Sequence, residues 1–133
     1  MERVEFQPRE GGKANCHMAF LDPTQDVLAA AMRGAWQRQT ALTNNIANAE
    51  TPGYEREDVN FQSALKNALA NGESTAEMQF QVETQAQQPG PNGSSVDIGQ
   101  ESAKLAENGL DYQAMTQVLG AQDSMLSAAI GTV

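Results

Sequence analysis

The chain has 133 residues and carries 8 Lys+Arg against 17 Asp+Glu, a formal charge of −9. That is room for one domain of ordinary size, and the acidic balance excludes the clustered basic surface that nucleic acid or an anionic membrane requires. Apolar residues make up 40% and aromatic residues 5%, with much of the apolar share in Ala. A thick globular core is therefore excluded, while long helices packed in a narrow layer remain.

Residues 1–21 show no sustained period and are interrupted by Pro8, Gly11 and Gly12. They read as a flexible leader without the apolar stretch of a cleavable signal peptide. Cys16 is the only cysteine and His17 the only histidine. No disulfide can form within the chain, no second ligand pair stands at zinc spacing, and no Cys–His nucleophile has a frame to orient it.

Asp22-Pro23-Thr24-Gln25 opens the first helix, with Asp22 at the cap, Pro23 at the first helical position and Gln25 at the capping-box place. Leu28, Met32, Ala35, Leu42, Ile46 and Ala49 then recur at steps of three and four. The stripe predicts a helix over 23–50, about 40 Å long. Pro52 ends it, and Thr51-Pro52-Gly53-Tyr54 fits a type II turn.

After the turn, residues 54–59 read as extended and charged. Glu55, Glu57 and Asp58 surround Arg56, and a solvated charge run describes them better than an acid/base pair or a cation site. A short helix is predicted within residues 60–70, with Phe61, Leu65 and Leu69 on one side. Residues 71–96 are rich in Gln, Ser, Gly and Pro and read as a loose connector, with one candidate strand where Met78, Phe80 and Val82 alternate with glutamines.

The last segment, 97–131, has the clearest period. Ile98, Leu105, Tyr112, Leu119, Leu126 and Val133 fall at intervals of seven. A second seam is weaker, with Met115 and Ala129 alternating with Asn108 and Gln122. Asp97, Glu101 and Glu107 suit the positive end of the helix dipole. Gly109 and Gly120 each weaken the helix by about 1 kcal/mol relative to Ala, so it wants a partner along its length. The fold class is thus mainly α: an antiparallel, coiled-coil-like pair of long N- and C-terminal helices with a loose, partly disordered connector, 22–133 forming one domain. The helix seam is assigned to Leu28, Met32, Leu42, Ile98, Leu105, Tyr112, Leu119 and Leu126. Val27, Ala31, Trp36, Leu110, Val118 and Met125 flank it and would stay wet in a lone chain, which implies burial against other chains.

One stretch stands apart. Asn44, Asn45 and Asn48 are unfavourable inside a helix, where their amides compete for backbone groups. Either the helix frays before Pro52, or Asn44 and Asn48 bond to neighbouring backbone with Ile46 and Tyr54 as apolar anchors. The segment TNNIANAETPGY resembles the signature of the bacterial flagellar axial proteins, the rod, hook and hook-associated family. Residues 25–70 and 95–130 carry that resemblance, and within the family they are most similar to a short rod subunit. The resemblance implies a structural, self-assembling part of the basal-body rod in the periplasmic space, without catalysis, cofactor, metal or small-molecule substrate. It implies type III export without signal cleavage, and as partners copies of itself, other rod proteins, the adaptor FliE, the membrane ring and the export gate. Asn44, Asn45, Ile46, Asn48, Thr51, Pro52, Gly53 and Tyr54 are the implied assembly motif. The rival reading is a soluble helical adaptor or export chaperone of a secretion system.

Overall fold

A computed structural model describes residues 23–85 and 93–131. The expected leader 1–21, the Asp22 cap, the Cys16–His17 pair and Val133 of the seven-residue series lie outside the described residues. Among the described residues, three helices and two short strands follow in the order α1 (Pro23–Ala47), β1 (Arg56–Asp58), α2 (Phe61–Asn71), β2 (Glu83–Gln85) and α3 (Ile98–Ile130).

The first helix starts on Pro23 and stops at Ala47, three residues before the predicted end. The asparagines account for the early stop. Asn48 Nδ2 donates to Asn44 O at 2.9 Å, and the Ala49 and Thr51 N–H groups donate to Ile46 O and Asn48 O. The chain therefore turns while these groups remain bonded locally. Tyr54 N then donates to Thr51 O at 3.2 Å, and Gly53 holds φ +78°. That left-handed conformation is where a type II turn needs glycine.

Helix α2 is capped at both ends. Asn60 accepts from Ser63 N, and Gly72 at φ +69° returns its N–H to Ala68 and Leu69 carbonyls. It meets α1 at Gly34, which lies beneath Phe61. A methyl group at Gly34 would stand 2.5 Å from Phe61 Cγ, so only glycine permits this approach.

Residues 75–85 of the connector are more ordered than its composition predicts. Phe80 is buried and meets Phe61 edge to face, ring centroids 6.1 Å apart. Arg33 donates to the Thr75 and Ala76 carbonyls, and Gln37 Nε2 donates to Phe80 O at 3.3 Å. The strand lies at Glu83–Gln85 and not at 78–82. With Phe80 in the core, it is the polar residues after it that pair antiparallel with β1, Arg56 opposite Gln85 and Asp58 opposite Glu83.

Asp97 caps α3 by accepting from Gln100 N at 3.1 Å, and the 33 residues that follow make a rod about 50 Å long. Asn45 near the end of α1 meets Glu101 near the start of α3, and Ala35 further back meets Asn108 further on. The two long helices are thus antiparallel. The core between them and α2 is built on small groups, Ala30, Ala35 and Ala41, with Val59, Phe61 and Phe80. Among the described residues, no helix is long and apolar enough to cross a membrane.

Candidate assembly site

The asparagine-rich end of α1 faces β1 and the first turns of α3, and a buried polar clasp fills the space between them. Asn45 is fully buried. Its Nδ2 donates to Glu57 O at 2.6 Å and to Glu101 Oε2 at 2.8 Å. Its Oδ1 accepts from Glu57 N at 2.9 Å and from the Tyr54 hydroxyl at 3.2 Å. One amide thereby ties helix, turn, strand and opposing helix together.

Arg56 is the second member. It is 2% exposed, and its guanidinium spreads over three partners: Glu101 Oε1 through Nε at 2.6 Å, Gln85 Oε1 at 2.6 Å and Asp58 Oδ2 at 2.7 Å. Lys104 adds a 3.2 Å bond to the same Glu101 oxygen, and Arg38 stands 3.7 Å from Asp58. The Ser95 hydroxyl accepts from Arg56 N and donates to Tyr54 O, closing the clasp from the α3 side.

Burial alone would raise the Glu101 carboxyl. Bonds from Arg56, Asn45 and Lys104 outweigh it and hold the group below its ordinary range. Asp58 behaves likewise: burial works upward, while Arg56, the Val59 N–H and the Arg38 charge bring it down. Burial, with the Glu57 and Glu101 charges, raises the Tyr54 phenol, which stays a proton donor. A carboxylate saturated by three donors at 1% exposure is a poor general acid or base. What the arrangement does well is fix geometry, because each unpaired group here would cost about 1–3 kcal/mol.

The assembly motif is divided by this geometry. Asn45 and Tyr54 enter the clasp, Ile46 and Asn48 are half-buried, and Asn44, Thr51, Pro52 and Gly53 are exposed. The long-range amide is Asn45, whereas the expectation rested on Asn44 and Asn48, whose side-chain bond is local. Of residues 55–58, expected as a solvated charge run, Glu55 is exposed, while Arg56 and Asp58 are drawn into the clasp. Arg56 points inward because Glu101, on the face of α3 turned to α1, supplies its counter-charge.

The helix seam also differs from the expectation. Leu42 is buried, Leu28, Met32, Leu105 and Leu119 are half-buried, and Ile98, Tyr112 and Leu126 are exposed. The deepest positions of α3 are Glu101 and Asn108, seven apart, with Met115 and Gln122 continuing the line half-buried. At Glu101 and Asn108 polar residues succeed because α1 offers them polar mates across its small side chains. Asn108 Nδ2 donates to Ala35 O and to Gln39 Oε1, both at 2.9 Å.

A second surface is apolar and open. Trp36 stands 66% exposed, and Leu110, Val118, Met125, Leu126 and Ile130 lie along α3 with half or more of their area in solvent. Large apolar side chains left this exposed, three of them within the last six residues of α3, mark an interaction surface.

Comparison with known proteins points the same way. A family profile described as "Flagella basal body rod protein" matches residues 26–54, which cover α1 from its fourth residue and the turn after it. The chain is 33% identical over 109 residues to the flagellar basal body rod protein FlgB of Escherichia coli (strain K12), covering 65% of this chain and 77% of the relative. It is 35% identical over 106 residues to the protein of the same name from Salmonella typhimurium, with the same coverage. Against the Bacillus subtilis (strain 168) FlgB it is 28% identical over 128 residues, covering 85% and 97%.

Proposed function

The chain belongs to the FlgB family of flagellar basal body rod proteins, and from that premise we propose that it is built into the rod through its two terminal helices. It is a structural subunit of the flagellar basal-body rod, and it assembles there with other rod proteins and with copies of itself. The observation that carries the manner of assembly is the contrast along α3. At Glu101 and Asn108 the helix is tied to α1 by buried polar bonds, whereas further on Val118, Met125, Leu126 and Ile130 are half or more exposed. Half of the subunit sets its own geometry, and the other half asks for burial that only neighbours supply.

Its work is mechanical and needs no catalysis, cofactor or metal. The turn Thr51–Tyr54 and the Asn45 clasp hold α1 and α3 in one register for the lattice. Type III export of the uncleaved chain fits a core of small side chains that unfolds readily for passage through a narrow channel. The adaptor FliE, the membrane ring and the export gate are the neighbours that the family resemblance implies. The relatives give no support to the rival reading of a soluble adaptor or export chaperone.

Hook–basal bodies purified from cells carrying a tagged copy test the proposal. The chain is expected among their components, and deletion of its gene is expected to abolish swimming. A soluble cytoplasmic oligomer absent from purified basal bodies would overturn it.

A further inference from the structure

Between α2 and α3 runs a groove of about 520 Å³ whose walls are Phe61, Leu65 and Leu69 on one side and Ala114 and Met115 on the other. We propose that this groove receives the C-terminal turns of α3 from a second copy of the chain, an inference that rests on the reading of the protein as a self-assembling rod subunit.

The register of the helix pair leaves those turns bare. Pro23 lies twelve residues back from Ala35, and twelve residues on from Asn108 is Gly120, so α1 runs out opposite that point. Met125, Leu126 and Ile130 lie beyond it, 72%, 50% and 76% exposed. With Ala129 they form an i, i+1, i+4, i+5 ridge of the kind that enters an apolar groove. The same molecule cannot supply the ridge to its own groove. Helix α3 is unbroken from Met115 in the groove wall to Ile130, and a continuous helix does not fold back on itself. The occupant must come from another molecule.

Charge favours the same pairing. Lys66 is the only charged residue of α2 and the only cation lining the groove. Asp111 lines its α3 wall, its carboxylate accepting from Gln62 Nε2 at 3.5 Å, and Asp123 is the only charged residue of α3 after it. Neither Lys66 nor Asp123 has an ion-pair partner among the described residues. Docking the ridge brings the turn that carries Asp123 to the groove end of a neighbouring α2, where Lys66 can meet it. The two surfaces differ, so the contact is heterologous. Each copy offers a ridge and a groove, and successive copies extend an open assembly.

Disulfide trapping and charge reversal test the contact in whole cells. In a Cys16→Ser background, Leu69→Cys together with Met125→Cys is expected to give linked dimers and higher multiples in purified basal bodies, reversed by reductant. Either substitution alone is expected to give none. Lys66→Glu and Asp123→Lys are each expected to reduce swimming severalfold, and the two together to restore it. The docking is overturned if the chain enters basal bodies but shows no linkage beyond the single-cysteine controls, if it links to a protein of different mass, or if the double reversal swims no better than the singles. Absence of the unsubstituted chain from basal bodies overturns the rod-subunit reading as well, which separates the two failures.

Discussion

Glu101→Gln removes one charge from the clasp while keeping its shape. The carboxylate accepts from Arg56 at 2.6 Å, from Asn45 at 2.8 Å and from Lys104 at 3.2 Å. The amide that replaces it holds one acceptor only, and its NH2 group faces another donor, either Asn45 Nδ2 or the guanidinium. Breaking one side of a buried ion pair costs about 3–5 kcal/mol, because the remaining charge is left without its partner. Arg56 keeps Asp58 at 2.7 Å, which places the expected loss at the lower end, about 3 kcal/mol. With a urea dependence of about 1–3 kcal/mol per molar, the unfolding midpoint of the purified chain should fall by about 1–3 M. Circular dichroism at the helix band measures it. Arg56→Met with Glu101→Leu removes both charges and is expected to cost less than the sum of the two single changes. An unchanged midpoint for Glu101→Gln, or a double variant as costly as that sum, refutes the reasoning.

Acid should weaken the fold through the same groups. Glu101 and Asp58 both titrate below their ordinary values when folded. The stability they contribute is therefore present above the unfolded carboxyl range and is lost as pH falls through the depressed folded values. Helicity followed down from neutral pH should drop in that window, and less steeply in Glu101→Gln. Gly34→Ala should force Phe61 aside at a cost of about 1–3 kcal/mol, read as a lower melting temperature than the unsubstituted chain. Gly53→Val places a β-branched residue at φ +78° and should impair swimming with little change in helix content, checked on soft agar and by circular dichroism. Hydrogen exchange on the free subunit should show protection around Asn45 and residues 101–108 and rapid exchange over 119–130; uniform protection along α3 would contradict the picture of a helix tied at one end.

The helices were legible because their signals are local. Pro23, Asp97, the steps of three and four and the Pro52-Gly53 stop each act within a few residues, and α1, α2 and α3 fall within three residues of their predicted bounds. The clasp was not legible in the same way. Arg56 and Glu101 are 45 residues apart, and nothing near either one announces the other. A signal did exist: Glu101, Asn108 and Gln122 share one heptad position with Met115, so a line three-quarters polar runs along the face that the period turns inward. Apolar content made the neighbouring series look like the seam, whereas the small residues of α1 let polar side chains reach backbone and amides. Gly34 drew no reading from the sequence, because its cause, Phe61 of α2, lies far along the chain. The connector misled through composition, since its few apolar residues, Met78 and Phe80, are the ones that dock.

Trp36 gives the molecule a reporter of its own. It is the sole tryptophan, and it stands out from α1 beside Tyr112, largely in water. Indole emission shifts to shorter wavelength when the ring leaves water, so fluorescence of the unlabelled polypeptide will register whether that flank is covered as subunits join. The colour of the emitted light then distinguishes a free molecule from an incorporated one without any attached dye.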